Sequence, residues 1–347
     1  MSDPRTLLER EIGAAQVSSL GALPLAEPRD EEQLCALLRL ATREHLCVLP
    51  LGFGTKLAWR ASSVADFALT TRALSGIVEY EPDEGVITAR AGTTLAHLRA
   101  RTAAERHWLT PFVAREERTS LGGAISAGQS GLDRLRFGPL RHHVLGLRVA
   151  LGDGTVVKSG GRLVKNVTGY DMHRLYTGAH GSLCVVLEAS LRLFSAPRRY
   201  AWLQVPGEGR EWLEAAWRGA IRPLILALGR VENGWELGVL LGGAEEVVAE
   251  ELALVQHAAT LEGEAALTAA RTFANTHTPE GACTRLECLP TGLGELLSRA
   301  RGRCLVLPGV VTAQIEGAPP AAERPQRTLD RRIKQALDPH GVLAEVG

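Results

Sequence analysis

The sequence predicts an α+β fold in two parts, and three observations point there. Glycines punctuate residues 119–195, alternating with strand-like and short helix-like runs instead of gathering in one linker. An amphipathic helix and several short β-rich runs precede that stretch. From Tyr200 the glycine spacing fades and a strand, helix, strand, strand, helix order takes over. With 347 residues, 45% of them hydrophobic, the chain is long enough for two domains and a well-buried core.

Taken in chain order, Asp30 to His45 carries Leu34, Leu37, Leu38 and Ala41 at helical spacing, with Asp30 placed as the N-cap. Cys47 to Leu49 is a short apolar strand, and Pro50-Leu51-Gly52-Phe53-Gly54-Thr55-Lys56 reads as a loop, because proline and two glycines disfavour regular structure. Phe67 to Thr70, Gly76 to Glu81 and Val86 to Arg90 read as strands. Thr94 to Arg106 is a second helix. Leu145 to Leu151 and Thr155 to Lys158 form a hairpin around Asp153-Gly154, a strong turn signal. Cys184 to Leu193 is a strand with Glu188, Ser190 and Arg192 on its wet face.

The boundary between the two parts falls near Ser195-Ala196-Pro197-Arg198. Beyond it, Trp202 to Val205, Leu224 to Val231 and Trp235 to Leu241 read as strands, and Glu211 to Ala220 and Glu245 to Ala259 as helices, an order that suits helices on one face of a sheet. Residues 317–325, rich in Pro and Ala, read as a mobile loop, and Thr328 to Leu337 as a last amphipathic helix.

Composition excludes several classes of function. Lys+Arg and Asp+Glu both total 39, so no net field draws the chain to nucleic acid or anionic lipid. The start lacks the apolar core of a signal peptide, and no apolar run approaches the ~18 residues that span a bilayer. A cytoplasmic location is expected, with any membrane association through partners. The six cysteines include no C-x-x-C and the ten histidines no H-x-x-x-H, so no metal or iron–sulfur site is expected.

Glycine lets backbone N–H groups approach a bound group closely, which a diphosphate demands. A Walker A loop needs G-x-x-x-x-G-K-[ST], which is missing. A Rossmann fingerprint needs a third glycine where Leu57 stands after Gly52-Phe53-Gly54. What remains is a pair of separated loops, 50–56 and 119–131, that can wrap a diphosphate jointly.

These loops resemble the FAD-binding domain of the vanillyl-alcohol oxidase superfamily, the PCMH-type flavin domain. The first family loop is matched by Pro50-Leu51-Gly52-Phe53-Gly54-Thr55, and the second by Thr119-Ser120-Leu121-Gly122-Gly123-Ala124 followed by Gly128, Gly131 and Phe137-Gly138. Val144-Leu145-Gly146-Leu147 before Asp153-Gly154 continues the match. Gly160-Gly161 and Lys165-Asn166-Val167-Thr168-Gly169-Tyr170-Asp171 look most like the smaller flavin-binding subunit of bacterial glycolate oxidase. The resemblance implies a two-subdomain PCMH-type domain over 1–198, with subdomains of about 17–75 and 76–198. A smaller α+β domain, a ferredoxin-like sandwich, then follows over 199–347.

Carried over residue by residue, the resemblance implies that Pro50, Gly52, Phe53, Gly54, Thr55 and Lys56 hold the FAD diphosphate from one side. Thr119, Ser120, Leu121, Gly122 and Gly123 close the other, where a side chain at 122 or 123 would collide with ribose or phosphate. Gly128, Gly138 and Val185 neighbour the dinucleotide. Some members tether FAD through a first-loop histidine; here Thr55-Lys56-Leu57 stands instead, so a noncovalent cofactor is expected. Asp171 is read as a helix cap, and Lys165 as either the weak catalytic candidate, steadying charge on reduced flavin, or the partner of a carboxylate.

Larger relatives of this branch place a histidine cluster around a metal in the C-terminal domain, whereas His257, His277 and His340 stand alone here. The tail also departs from the family, ending Ala344-Glu345-Val346-Gly347. The resemblance therefore implies the FAD-binding subunit of a glycolate oxidase or dehydrogenase complex, oxidising glycolate to glyoxylate. A larger flavoprotein would carry the substrate pocket and an iron–sulfur subunit would take the electrons. Two alternatives stay open: a stand-alone FAD-dependent 2-hydroxy-acid dehydrogenase of D-lactate type, and a structural subunit that has lost FAD.

Overall fold

The structure is a computed structural model, describing residues 3–56, 64–162, 169–231, 234–254, 260–280, 283–287, 290–300, 302–308, 312–316 and 328–345. Three larger sheets and one two-stranded pair organise the described residues. The first runs β1 (Val17–Leu20), β2 (Leu23–Ala26), β4 (Phe67–Thr70), β3 (Val48–Leu51), with β4 parallel to both its neighbours. Helix α1 (Pro4–Ile12) packs against α2 (Glu31–Glu44), whose N-terminus is capped as the sequence predicts: Gln33 N–H donates to the Asp30 carboxylate at 2.9 Å. Leu34, Leu37 and Leu38 are fully buried on its inner face, each contributing roughly 1.5–3 kcal/mol.

Strand β3 runs through Pro50 and Leu51, beyond the expected end at Leu49. Proline is tolerated because β3 is the edge strand of its sheet. Part of that edge is covered by the tail: Val48 N–H donates to Val342 O at 2.6 Å, and Ala344 N–H to Val48 O at 2.8 Å. The tail segment is buried, and it is latched by Asp338, which accepts from Val342 and Leu343 N–H.

The second sheet is antiparallel, ordered β5 (Ile77–Glu81), β6 (Val86–Arg90), β10 (Val185–Arg192), β8 (Val144–Ala150), β9 (Val156–Gly160). The hairpin turns where expected, with Gly154 at φ +79° and Thr155 N–H donating to Asp153 Oδ1 at 2.8 Å. Ser190 departs from expectation. It is only 9% exposed, and its hydroxyl lies 2.8 Å from Thr88 Oγ1 across the strand pair, because β10 is the central strand. Helices α3 (Leu95–Ala103), α4 (Leu121–Ser126) and α6 (Met172–Tyr176) border this sheet, α5 (Arg134–Phe137) lies instead against the third sheet, and β7 (His107–Trp108) pairs with β11 (Phe194–Ser195). Asp171 occupies the N-cap position of α6 without a side-chain cap bond; its carboxylate instead lies 3.2 Å from Arg174 Nε.

The third sheet begins at Arg199 and has seven antiparallel strands. Its order is β15 (Thr260–Glu262), β12 (Arg199–Pro206), β14 (Gly234–Gly243), β13 (Ile225–Val231), β17 (Cys304–Leu307), β18 (Thr312–Glu316), β16 (Cys283–Glu287). Alternation along its strands divides two cores. Leu203, Leu226, Leu228, Val239 and Val306 face α7 (Arg210–Trp217), α8 (Glu245–Leu254) and α10 (Leu293–Arg299). Trp202, Ala227, Leu240, Leu305 and Leu307 face α9 (Gly263–His277) together with Trp108 and Phe112 of the first half.

Mixed helix and sheet is thus the α+β class the sequence predicts, but helices cover both faces of this last sheet rather than one. The expected helix end at 255–259 and the loop 317–325 lie outside the described residues. The terminal helix α11 (Thr328–Leu337) matches its expected span. No helix among the described residues is long and apolar enough to cross a membrane.

Candidate functional site

The two glycine loops meet. Thr70 Oγ1 donates to Gly52 O at 2.8 Å, pinning the first loop to β4 as it leaves β3. Lys56 Nζ donates to Thr55 Oγ1 at 2.9 Å and reaches across to Thr119 Oγ1 at 3.1 Å. Thr119 Oγ1 in turn donates to Arg115 O at 3.0 Å. Behind them, Ser120 Oγ accepts from Gly123 N–H at 3.2 Å and caps α4. A Cβ on Gly52 would sit 2.1 Å from that same Ser120 oxygen, so the lack of one at residue 52 lets the loops meet without displacing the Ser120 hydroxyl.

A cleft opens between the loops. Of the expected cofactor residues, Pro50, Gly52, Phe53, Gly54, Thr55 and Lys56 line it from the first loop, and Thr119, Ser120, Gly122, Gly123 and Val185 from the other side. Three expected residues lie elsewhere. Leu121 is fully buried in the core of the second sheet, and Gly128 and Gly138 sit outside the cleft wall. Gly128 is required by the chain itself, since its Cβ would come 3.0 Å from Gly178 Cα at φ +55°.

The reason expected for Gly122 and Gly123 also changes. A Cβ at 122 would strike Ala91 Cβ at 2.7 Å, and one at 123 would meet the Ser120 oxygen at 2.9 Å, so the protein's own packing already disfavours side chains there. The N–H groups of Leu121 and Gly122 already donate to Thr93 O and Ala91 O, both at 2.8 Å. Lys165 and Asn166 lie outside the described residues. Sequence reasoning missed Thr71, Ser126, Ala127 and His180 in the wall. Gly178 and Gly181 flagged the last stretch, and Gly181 lies at φ +81° with its Cβ position 3.3 Å from Pro50 Cβ.

The cleft suits a dinucleotide diphosphate. Its described wall holds hydroxyls, glycines and apolar groups, with Lys56 and His180 but no carboxylate, so an anion entering it meets no buried like charge. Burial, and secondarily the Arg115 charge, lowers the Lys56 pKa to about 7. Burial pushes the Cys184 thiol up to about 12, making it an inert wall group.

A second cavity adjoins the first and shares Thr55 and Lys56 with it. Its far wall comes from the third sheet, through Leu305, Leu307 and Gln314, and from Thr278 and Pro279 after α9. Arg115 ties the halves together here: its backbone N–H donates to Asn275 Oδ1 at 2.8 Å, and Nη2 to Thr278 O and Pro279 O, each at 2.7 Å. Among the isolated histidines, His277 is buried, with Nδ1 2.8 Å from Phe273 O and Nε2 2.6 Å from Glu236 Oε1, while His257 lies outside the described residues.

Comparison with known proteins agrees with this geometry. A family model described as an FAD binding domain matches residues 22–160. The chain is 32% identical over 184 residues to a D-lactate dehydrogenase of Archaeoglobus fulgidus, covering 52% of this chain and 41% of that protein. It is 38% identical over 143 residues to glycolate oxidase subunit GlcE of Escherichia coli, covering 41% of each chain. It is 29% identical over 172 residues to subunit GlcD of Bacillus subtilis, covering 49% of this chain and 36% of that one. The matches therefore span well under half of these relatives' own length.

Among solved structures, an alkyldihydroxyacetonephosphate synthase superposes with a TM-score of 0.68 at 13% identity, covering 92% of this chain and 76% of that one, a likeness of fold. The glycine loops, the cleft whose described wall holds no carboxylate, and these matches converge: residues 22–160 form a PCMH-type FAD binding domain.

Proposed function

We propose that the chain is an FAD-dependent oxidoreductase acting on the CH–OH group of a 2-hydroxy acid, working as a subunit of a glycolate oxidase-like assembly. One observation carries the chemistry: the cleft suited to FAD adjoins a second cavity, and Lys56 and Thr55 belong to both walls. A substrate there would sit beside whichever end of the cofactor reaches the shared wall. Similarity to GlcE and GlcD supports the subunit role, with electrons leaving to an iron–sulfur partner.

The first loop, with Gly52 and Gly54, and the hydroxyls of Thr55 and Thr119 would hold FAD noncovalently, with Ser120 and Val185 beside it. When bound, FAD supplies the two-electron acceptor for hydride leaving the carbinol carbon. The residues of this chain do the rest. Lys56, poised near neutrality, can hold or release a proton at Nζ close to the reacting centre. Arg115 offers a fixed positive charge for the substrate carboxylate.

The two-walled cavity also supports a second reading, in which substrate is oxidised on this chain without a larger flavoprotein. Anaerobic addition of glycolate to the isolated chain separates them. Bleaching of the flavin band supports oxidation here. Bleaching only after the partner subunits are added would leave this chain as an electron carrier, and no bleaching in either case would refute the proposed activity.

A further inference from the structure

The second cavity carries a pattern that a simple glycolate site does not need. Three of its buried polar atoms find no hydrogen-bond partner among the described residues: Gln129 Oε1, Gln314 Oε1 and Thr278 Oγ1. Gln129 is only 7% exposed, so water does not readily solvate its amide oxygen. A buried acceptor left without a donor is costly, and three converging on one cavity are the mark of a site completed by a ligand. Amide oxygens accept only, so the ligand must bring O–H or N–H donors.

The charged groups around the cavity set the rest of the ligand. Lys56 and Arg115 line it from the first half. Glu280, the acid on its described wall, is exposed and lies 3.9 Å from Arg303 Nη1, so its charge is answered outside. On the cradle side of Lys56 stand His180 and the thiol of Cys184. Positive charge dominates the interior, which calls for an anion, while the two glutamines, on opposite halves of the molecule, call for hydroxyls.

We propose that this cavity binds a small carboxylate bearing at least one hydroxyl beyond the carbinol that reacts. Lys56 and Arg115 face the carboxylate, and Gln129 and Gln314 accept from the hydroxyls. The substrate class is then a polyhydroxylated acid of glycerate or sugar-acid type. This rests on the hydroxy-acid reading above and narrows it.

Calorimetric titration of the full chain with glycolate, glycerate and glycerol tests the proposal. Glycerate, with its additional hydroxyl, should bind about tenfold more tightly than glycolate, the worth of one satisfied buried acceptor, and glycerol should give no binding heat. Whichever of Gln129→Leu and Gln314→Leu removes the acceptor of that hydroxyl should narrow the ratio between the two acids to about twofold.

Equal affinity for the two acids, binding of neither, or a ratio unmoved in both variants would overturn it. The ranking on the unaltered protein decides even where a variant fails to fold. Flavin content read in the same samples separates the two claims. A colourless chain that ranks the acids as stated refutes the flavin reading alone, whereas a yellow chain that does not rank them refutes this one alone.

Discussion

Gly52→Ala is the sharpest single perturbation of the cradle. Gly52 does not occupy the left-handed region, so alanine costs the backbone little and the effect is steric. The new methyl would start 2.1 Å from Ser120 Oγ and 3.3 Å from Ser120 Cβ. Rotating the hydroxyl away relieves the first contact but breaks its bond to Gly123 N–H, an N-cap worth about 1 kcal/mol. The remaining approach to Cβ pushes the loops apart by a few tenths of an ångström, for a total of about 1–2 kcal/mol.

If that cost falls on the bound state, FAD affinity drops roughly 5- to 30-fold. Fluorescence-quench titration of the apoprotein with FAD measures it. Ser120→Gly, a substitution that costs a cap only a few tenths of a kcal/mol, should restore most of the affinity when combined with Gly52→Ala. Unchanged affinity in Gly52→Ala, or no recovery in the pair, would refute the contact as the determinant of loop closure.

Arg99 and Glu116 are 8% and 6% exposed, and Arg99 Nε lies 2.8 and 2.9 Å from the two carboxylate oxygens. Glu116→Gln strands a buried guanidinium, so stability should fall by about 3–5 kcal/mol and Tm by roughly 4–7 °C in a calorimetric scan. Lys56, its pKa lowered from 10.5 to about 7, opposes folding while charged. That penalty is fully present below about pH 7 and is relieved as pH rises towards 10.5, so denaturant stability should climb more steeply over this window in the parent than in Lys56→Met. Cys184, 2% exposed with its thiol pushed up to about 12, should resist alkylation at pH 8 in the folded chain and react on unfolding; mass-mapped labelling as fast as an open thiol would contradict its burial.

Much of the first half was legible because its signals are local. Asp30 caps α2, Asp153-Gly154 turns its hairpin, and Pro50 to Lys56 form one wall of the cleft. What the sequence hid depends on tertiary neighbours. Gly122 and Gly128 looked like ligand glycines, yet their missing side chains make room for Ala91 and Gly178, residues whose nearness no spacing reveals. Ser190 looked solvated because alternation shows two faces but not that both can be covered. Helix α9 escaped because its inner face is largely alanine, Ala266, Ala270 and Ala274, which gives little hydrophobic periodicity. The second cavity escaped for the same kind of reason, since Lys56, Arg115, Gln129, Thr278 and Gln314 come together only when the third sheet packs against the first half.

The visible absorption of the purified full chain, read before and after acid precipitation, tests the flavin cradle directly. An oxidised-flavin band that leaves with the supernatant, identified there as FAD at one equivalent per chain, is the expected result. Colour retained in the pellet would contradict noncovalent binding, and a colourless chain that takes up no added FAD would contradict the cradle itself.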